Sequence, residues 1–265
     1  MKYLLKNQTE LIYRISDPSY LHIFLDFDGT LAPITQRPEQ AVMPDAARDI
    51  LKTLVKAKGV RISIVSGRAL NRVISLVGIK GISYAGCHGL ETRPIGKQVF
   101  PTANRSGVRA CIGSIRQSLT KALTGIINMA SIDIEDKGLV LSLHYRRLKP
   151  ACLKKLREVF LAVSKPYVLS GQMRVLNNKK VFELRPLVGR DKGSYCLDAL
   201  KGYRKKALPI YIGDDKTDES AFKALKRAGI TVFVKGERKT SSAEFYLHST
   251  NEVIDFLRLI ARARS

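Results

Sequence analysis

The chain contains no long apolar segment. None of its 265 residues lies in a run that approaches the ~20 apolar residues needed by a membrane-spanning helix. Lys2, Lys6, Glu10 and Arg14 interrupt the N-terminal stretch, which excludes the apolar centre of a secretory signal peptide. We therefore expect a soluble protein whose first residues form a short helix or a frayed leader.

Cysteines are few and widely spaced. The four of them, Cys87, Cys111, Cys152 and Cys196, show none of the close pairing that is typical of zinc sites and disulfide frameworks. This wide spacing fits reduced thiols better than disulfides. Reduced thiols are typical of cytosolic proteins. We therefore expect a cytoplasmic protein.

Acidic residues are scarce: 23 Asp and Glu stand against 46 Lys and Arg, which gives a net charge of +23. A basic surface attracts anionic substrates, and also nucleic acids and anionic membranes. Basic residues cluster at 204–206, 235–239 and 258–264, but no zinc-finger, RNP or helix-turn-helix signature accompanies them. A basic nucleic-acid-binding protein stays an alternative, but charge alone predicts no specific nucleic-acid partner.

The most informative segment is an apolar strand that ends in two carboxylates. Residues 23–25 lead directly into Asp26 and Asp28, and Gly29 follows. In an open α/β sheet, ligands bind at the carboxyl ends of the parallel strands. Two acids so close repel each other, and a hard cation such as Mg²⁺ would relieve that repulsion. One carboxylate could then attack phosphorus while the other handles a proton; the alternative is a solvated Asp-Gly turn.

Three further segments supply groups that phosphoryl transfer needs. Strand 60–65 ends at Ser66, whose hydroxyl can donate to a phosphate oxygen. Strand 209–212 leads into an acidic cluster at 213–219, which can complete an octahedral oxygen site. Lys192 opens a predicted helix and offers an ammonium group for the phosphate. Each signal is weak alone, but together, in this order, they indicate phosphoryl-transfer chemistry.

The order of predicted helices and strands defines the fold class. Helices and strands alternate over residues 45–85 and again over 192–234, which favours a parallel, doubly wound sheet. Between Pro101 and Leu187 the pattern becomes helix-strand-strand twice over, which predicts two similar units on one antiparallel sheet. We expect an α/β protein with a doubly wound parallel-sheet core and an inserted α+β cap domain. The predicted boundaries are 1–101 and 187–265 for the core and 102–186 for the cap.

The motifs resemble those of the haloacid dehalogenase (HAD) superfamily, which implies a Rossmann-like core. The closer resemblance is to trehalose-6-phosphate phosphatases, and it covers residues 21–235. The pieces that carry it lie at 25–34, 65–68, 86–91, 137–146, 183–186 and 213–219. The third motif departs slightly, because Asp191 precedes Lys192-Gly193 where the family usually has an aromatic or other residue.

The resemblance implies a role for each acid. Asp26 would be the nucleophile that forms an aspartyl-phosphate, and Asp28 the general acid and base. The cofactor Mg²⁺ would be held by Asp26, by the backbone carbonyl of Asp28 and by Asp214. Asp215 and Asp218 would bind it through water or orient its ligands.

The resemblance also implies which groups bind the substrate. Ser66 and Lys192 would hold the phosphoryl oxygens and complete the catalytic set, and Thr30 would add a hydrogen bond or cap the turn. A sugar needs paired donors and acceptors in the cap. The candidate substrate-binding residues are Thr30, Arg68, Glu91, Lys137, His144, Glu183 and Arg185. The alternatives are that His144 packs on a half-buried strand, that Lys137 is an exposed hairpin residue, and that Glu183 and Arg185 form a cross-strand ion pair worth little.

Four functions compete at this stage. The first is hydrolysis of trehalose 6-phosphate by a phosphoric monoester hydrolase, which is the last step of trehalose biosynthesis. The second is a related phosphatase for sucrose 6-phosphate or mannosyl-3-phosphoglycerate, with the same core and another cap preference. The third is a non-catalytic sugar-phosphate-binding module, which need not retain every catalytic group; the fourth is the nucleic-acid-binding protein. The oligomeric state stays open, with a monomer favoured.

Overall fold

The structure is a computed structural model that describes residues 1–35, 38–98, 100–101, 105–178, 180–201, 207–235 and 241–264. The strands in these residues are β1 (Lys2–Tyr3), β2 (Tyr20–Leu25), β3 (Val60–Val65), β4 (Ser83–Gly86), β5 (Glu91–Arg93), β6 (Phe100–Pro101), β7 (Asp133–Asp136), β8 (Leu141–His144), β9 (Met173–Asn178), β10 (Val181–Pro186), β11 (Ala207–Gly213), β12 (Ile230–Val234) and β13 (Phe245–Leu247). The α-helices are α1 (Gln8–Ser16), α2 (Asp45–Lys56), α3 (Leu70–Val77), α4 (Arg105–Leu123), α5 (Leu153–Leu169), α6 (Lys192–Ala199), α7 (Glu219–Leu225) and α8 (Thr250–Ala263).

The chain divides into two compact units. The first, called the core below, comprises Met1–Phe100 and Arg190–Ser265. The second, called the cap, comprises Pro101–Gly189. That the cap selects the substrate stays a prediction.

The core sheet has nine strands in the order β1-β13-β12-β11-β2-β3-β4-β5-β6. Strand β2 lies between β11 and β3 and is parallel to both, with Leu25 opposite Ile212 on one side and Ile64 on the other. The β4–β5 pair is antiparallel. Because β2, β3 and β11 run in one direction, the residues that follow them meet at one edge of the sheet. The expected α/β class with a mostly parallel sheet is confirmed.

Apolar clusters cover both faces of the core sheet. Ile23 and Leu25 belong to the larger cluster, together with Leu51 of α2. Phe24 belongs to the cluster on the opposite face, together with Phe222 of α7. Strand β2 is therefore buried on both sides, which explains its continuous apolar sequence.

The cap is an antiparallel sheet in the order β7-β8-β10-β9, with α4 and α5 packed against one face. Leu143 of β8 and Phe182 of β10 point to this face, where they pack with Phe160 of α5. Alternate residues of each strand point to the opposite face. The predicted helix-strand-strand arrangement of the cap is confirmed.

Two segments differ from the sequence prediction. The sequence pattern predicts a helix over residues 150–163, but α5 continues past Pro166 to Leu169. Pro166 removes one hydrogen bond, and the last turn still closes through a 3.0 Å bond from Ser170 N–H to the Pro166 carbonyl. The N-terminus forms an edge strand before its helix, because Lys2 and Tyr3 of β1 pair with β13.

The described part of the chain contains no helix that is both long and apolar enough to cross a bilayer. None of the four cysteines, all of which lie in the described residues, forms a disulfide. Of the three predicted basic clusters, 258–264 lies at the end of α8. Residues 204–206 and 236–239 lie outside the described residues.

Candidate active site

Three adjacent strands deliver polar residues to one edge of the core sheet. Asp26 follows β2, Ser66 follows β3, and Asp214 follows β11, and all three are buried. Backbone hydrogen bonds extend the strand pairing into this edge: Asp26 N–H donates to the Ile212 carbonyl at 3.0 Å. The parallel pairing therefore brings together groups that lie far apart in the sequence.

Lys192 lies beside Asp26. Its Nζ is 2.9 Å from Asp26 Oδ1 and 2.7 Å from Asp218 Oδ1, and its side chain is 2% exposed. Burial by itself lowers the pKa of this lysine, but the carboxylates of Asp218 and Asp26 outweigh that effect, so the pKa lies above its ordinary value. Lys192 therefore stays charged at the position where a phosphate would need a cation.

The unusual Asp191 explains how the helix that carries Lys192 begins. Its side chain accepts from the Ser194 N–H at 2.8 Å, and the Ser194 hydroxyl accepts from the Asp191 N–H at 2.9 Å. This reciprocal capping satisfies two backbone donors at the start of α6. The departure from the family's third motif thus supplies a helix cap directly before Lys192.

Asp218 organises the loop after β11. Oδ1 accepts from Lys192 and from the Tyr211 hydroxyl at 2.6 Å, and Oδ2 accepts from the N–H groups of Asp214 and Asp215 at 3.0 and 2.9 Å. The carboxylate is completely buried. Gly213 leaves room for it, because a Cβ at that position would lie 2.3 Å from Asp218 Cγ.

The carboxylates of Asp26, Asp214 and Asp218 form a candidate cation site. Each offers an oxygen within 4.8 Å of the other two. Burial, together with the neighbouring carboxylates and despite Lys192, raises the pKa of Asp26 well above its ordinary value. Burial also raises the pKa of Asp214 to about 6, although Lys235 opposes the rise. Such a cluster is relieved by a bound cation.

The surroundings of Asp214 fit a hard cation such as Mg²⁺. A Cβ at Gly29, where φ is +77°, would lie 2.2 Å from Asp214 Oδ2, so only glycine leaves this space open. The ammonium group of Lys235 forms an ion pair with the same Oδ2 atom. A cationic group thus already lies at the carboxylate, and the oxygen donors are those that Mg²⁺ prefers.

The carboxylate of Asp28 is turned toward Arg68. Arg68 Nε donates to Oδ2 at 2.7 Å and Nη2 to Oδ1 at 2.6 Å, and the guanidinium lies over the Phe27 ring. The Asp28 side chain is therefore not part of the carboxylate cluster, and metal binding by its backbone carbonyl stays a prediction. Arg68, which was expected to bind substrate, holds Asp28 in this state.

Two hydroxyl groups at the site are available to a ligand. Ser66 Oγ accepts from the Arg68 N–H at 3.1 Å, which leaves its own proton free to donate. The Thr30 hydroxyl is completely buried and has no hydrogen-bond partner among the described residues. Both groups therefore fit the phosphate-binding roles that the sequence predicts.

Sequence reasoning missed three core residues. His88 is buried, has a φ of +58°, and lies so close to Gly67 that a Cβ there would be 2.7 Å from its Nε2. Tyr211 looked like an ordinary strand residue, and Lys235 was assigned to a surface cluster. The position of Lys235 directly after β12 was the signal that would have found it.

Glu91, a predicted sugar contact, is buried at the start of β5.

The cap brings its predicted residues together on the sheet face opposite the helices. Lys137 Nζ lies 3.6 Å from Glu183 Oε1 and 3.5 Å from Glu135 Oε2. His144 Nε2 lies 3.0 Å from the same glutamate oxygen of Glu135. Arg185 forms an ion pair with Glu183.

Two of these cap residues are buried charges. Glu183 and Arg185 are each 4% exposed and form their ion pair within the one strand β10, so the alternative of a cross-strand pair is wrong. Ser142 is completely buried and donates to Glu183 Oε1 at 3.0 Å. Sequence reasoning missed Ser142 and Glu135, which belong to the same network because they pair across adjacent strands. A buried, hydrogen-bonded polar face of this kind is suited to a polyhydroxylated ligand.

Comparisons with known proteins point to one family. The trehalose-phosphatase family model matches residues 24–251. Probable trehalose-phosphate phosphatase 9 of rice (Oryza sativa) is 33% identical over 265 residues, which cover 89% of this chain and 68% of the relative. A maize (Zea mays) trehalose 6-phosphate phosphatase is 31% identical and covers 91% and 70%. The fold is similar to that of the C-terminal domain of trehalose-6-phosphate phosphatase from C. albicans, with a TM-score of 0.80, 23% identity and 98% coverage of both chains.

Proposed function

Because the chain belongs to the trehalose-phosphatase family, whose members are named as phosphoric monoester hydrolases, we propose that it hydrolyses trehalose 6-phosphate to trehalose and phosphate. This reaction is the last step of trehalose biosynthesis. The observation that carries the proposal is the buried contact between Lys192 and Asp26 at the end of β2. The proposal includes a cytoplasmic location, because the wide spacing of the four cysteines in the sequence fits reduced thiols.

Asp26 is the nucleophile in this proposal. Its carboxylate oxygen attacks phosphorus, the bond from phosphorus to the sugar oxygen breaks, and an aspartyl-phosphate forms. Lys192 holds the attacking carboxylate in one orientation and can share its charge with the phosphoryl oxygens. Ser66 and Thr30 offer hydroxyl protons to those oxygens, so the growing charge meets donors that are already in place.

Asp28 moves the protons. It gives one to the leaving sugar oxygen, which is a poor leaving group without an acid beside it, and later takes one from the water that hydrolyses the aspartyl-phosphate. Both Asp28 oxygens accept from Arg68. We infer that the dianionic phosphate attracts the guanidinium, because Arg binds phosphate as well as carboxylate, and that this frees Asp28 to act.

Asp26, Asp214 and the backbone carbonyl of Asp28 would hold Mg²⁺, with Asp215 and Asp218 orienting the loop. The ion supplies positive charge that offsets the phosphoryl oxygens and the clustered carboxylates. Lys235, which forms an ion pair with Asp214, would compete with the ion for this carboxylate.

The cap would select the sugar. Lys137, His144, Glu183 and Arg185 offer both donors and acceptors, as paired hydroxyls require, and Glu91 of the core is a further candidate. A phosphatase for sucrose 6-phosphate or mannosyl-3-phosphoglycerate would use the same chemistry with another cap preference. A non-catalytic module is disfavoured, because such a module need not retain the whole set of acids with Lys192.

The test is phosphate release from trehalose 6-phosphate with Mg²⁺, alongside sucrose 6-phosphate, glucose 6-phosphate and mannosyl-3-phosphoglycerate. We expect a strong preference for trehalose 6-phosphate that is lost with chelator and in Asp26→Asn. Substantial Mg²⁺-dependent turnover by Asp26→Asn would contradict the nucleophile. Preference for another substrate would keep the chemistry and change the sugar, and no turnover of any substrate would favour the binding module.

A further inference from the structure

The two helices of the cap share a surface that the proposed reaction does not use. We call it the outer helical surface of the cap. Its part on α4 borders the cap sheet, because Arg116 and Lys121 line a cavity with Asp136 of β7. Its residues on α4 and α5 are exposed. They are Arg109, Arg116, Lys121, Lys154, Lys155, Arg157, Leu161, Lys165, Val168 and Leu169.

This surface carries uncompensated positive charge. The cap contains 16 Lys and Arg against five Asp and Glu, and no acidic residue occurs in 92–132 or in 137–157. None of the seven cations on the outer helical surface lies within ion-pairing distance of a carboxylate in the described part of the chain. Lys154 and Arg157 lie three residues apart on one helix, where like charges repel. An anionic partner would remove this repulsion.

Exposed aliphatic side chains interrupt the positive charge. Leu161, Val168 and Leu169 are 42%, 40% and 76% exposed. Lys154, Glu158, Leu161, Lys165 and Val168 follow the alternating four- and three-residue spacing of one helix face. Lys165 therefore lies between two of the apolar residues, and Glu158 is the single carboxylate of α5. A face that mixes lysines with exposed leucine and valine is suited to the boundary between lipid headgroups and acyl chains. The lysine stems add apolar area while their ammonium groups stay in water.

This surface is less suited to binding a nucleic acid. Single-stranded nucleic acids are bound by basic grooves with exposed aromatic side chains, and here Phe160 is buried and Tyr167 half-buried. A duplex backbone would satisfy the lysines but gains nothing from Leu169. The aliphatic residues therefore favour lipid over nucleic acid.

We propose that the outer helical surface of the cap binds anionic phospholipid membranes from one side, without crossing them. The surface would hold the protein at a membrane through its cationic and aliphatic side chains together. This binding is independent of the phosphatase reaction, because no residue of the surface belongs to the candidate active site. It gives the unusual net charge of the chain a local role.

The experiment measures co-sedimentation of the full chain with vesicles of phosphatidylcholine alone and with vesicles that contain one third phosphatidylglycerol. The test variant is Lys154→Glu/Lys155→Glu/Arg157→Glu. The matched control is Lys56→Glu/Lys58→Glu/Lys80→Glu, which makes the same charge change at exposed residues of the core. We expect the wild type and the control to bind the anionic vesicles and the test variant to bind them at least about tenfold more weakly. Equal thermal melting curves for all three proteins would establish that the variants are folded.

Three outcomes would overturn the proposal. They are no preference for anionic vesicles, an equal loss of binding in both triple variants, and tighter binding of duplex DNA than of anionic vesicles at the same salt concentration. The aliphatic contribution has its own test in Leu161→Ser/Leu169→Ser. Weaker vesicle binding by this variant at raised salt supports insertion at the lipid boundary, since salt screens only the charges. Unchanged binding would indicate diffuse electrostatic attraction and would contradict the proposed membrane binding.

Discussion

Tyr211 donates a 2.6 Å hydrogen bond to Asp218 Oδ1, the same oxygen that accepts from Lys192 at 2.7 Å. The other oxygen of this carboxylate accepts from the N–H groups of Asp214 and Asp215. One buried carboxylate thus fixes both Lys192 and the loop that carries Asp214. Because donors occupy both of its oxygens, Asp218 is suited to holding other groups rather than to binding substrate.

Replacing Tyr211 by Phe should weaken this hydrogen-bond arrangement without leaving a large cavity in the core. The ring would keep its edge contact with Phe222, and only the hydroxyl would be lost. A hydrogen bond to a charged group contributes ~1.5–3 kcal/mol, so we expect kcat for trehalose 6-phosphate to fall about tenfold while KM changes less than about twofold. Steady-state kinetics at saturating Mg²⁺ would measure this split.

Tyr195→Phe is the matched control. Tyr195 is also buried, but its hydroxyl donates to Ser63 Oγ at 3.2 Å and not to Asp218. We expect this variant to lose stability with little change in kcat. An equal fall of kcat in the two variants would mean that any lost buried hydroxyl has this effect, and the role of Tyr211 would be contradicted.

The sequence predicted the core site because each of its residues directly follows an apolar strand. Asp26, Ser66 and Asp214 carry a signal that depends only on strand order and on the rule that parallel strands end at one edge. Lys192 was found because it opens a helix. Local sequence patterns were sufficient to predict a site residue wherever its position at the end of a strand or the start of a helix brings the side chain to the site.

Residues that act through distant contacts could not be predicted this way. Tyr211 is a strong strand former within an apolar run, and nothing local reveals that its hydroxyl meets Asp218. Glu183 alternates with apolar residues as a surface residue would, yet its burial depends on what covers that sheet face. The helical pattern of α5 ends at residue 163 in the sequence, but the helix continues to Leu169. Tertiary packing decided all three.

The cap network leads to a prediction about substrate selection. Lys137→Ala would remove the cation that lies near both Glu183 and Glu135. We expect KM for trehalose 6-phosphate to rise about tenfold, since one lost charged contact is ~1.5 kcal/mol or more, while turnover of a small aryl phosphate is unaffected. Kinetics with both substrates would measure the difference.

Lys149→Ala controls for the loss of one positive charge, because Lys149 is an exposed cap lysine outside the network. Its KM for the sugar phosphate should match the wild type. If Lys137→Ala lowers activity on both substrates equally, Lys137 supports the fold or the chemistry and does not recognise the sugar.

Gly29 should be essential for the geometry of the cation site. An alanine Cβ at Gly29 would overlap the Asp214 carboxylate, and the φ of +77° strains any residue other than glycine. We expect Gly29→Ala to weaken Mg²⁺ activation at least about tenfold and to leave a folded protein. Titration of activity against Mg²⁺, with a thermal melt, would measure both effects.

Gly96→Ala is the matched control. It separates the effect of backbone strain from that of the steric clash with Asp214. Gly96 has a similar φ of +68°, but a Cβ there would meet no atom within 4 Å. This variant should lose a comparable amount of stability and keep its Mg²⁺ dependence. Normal Mg²⁺ activation in Gly29→Ala would show that Asp214 does not bind the ion.

His22 should make the stability depend on pH. Its Nε2 lies 2.8 Å from Ser63 Oγ, and burial, with a smaller effect from Arg61, lowers its pKa from 6.5 to about 3. Between these values the unfolded chain binds a proton that the folded chain does not, so the free energy of unfolding falls as the pH falls, by ~1.4 kcal/mol per unit. His22→Gln removes this titration. Between pH 7 and pH 5, the free energy of unfolding measured in urea should therefore fall by about 2 kcal/mol less for this variant than for the wild type. Equal losses in the two proteins would mean that His22 is protonated in the folded state or exchanges its proton equally in both states.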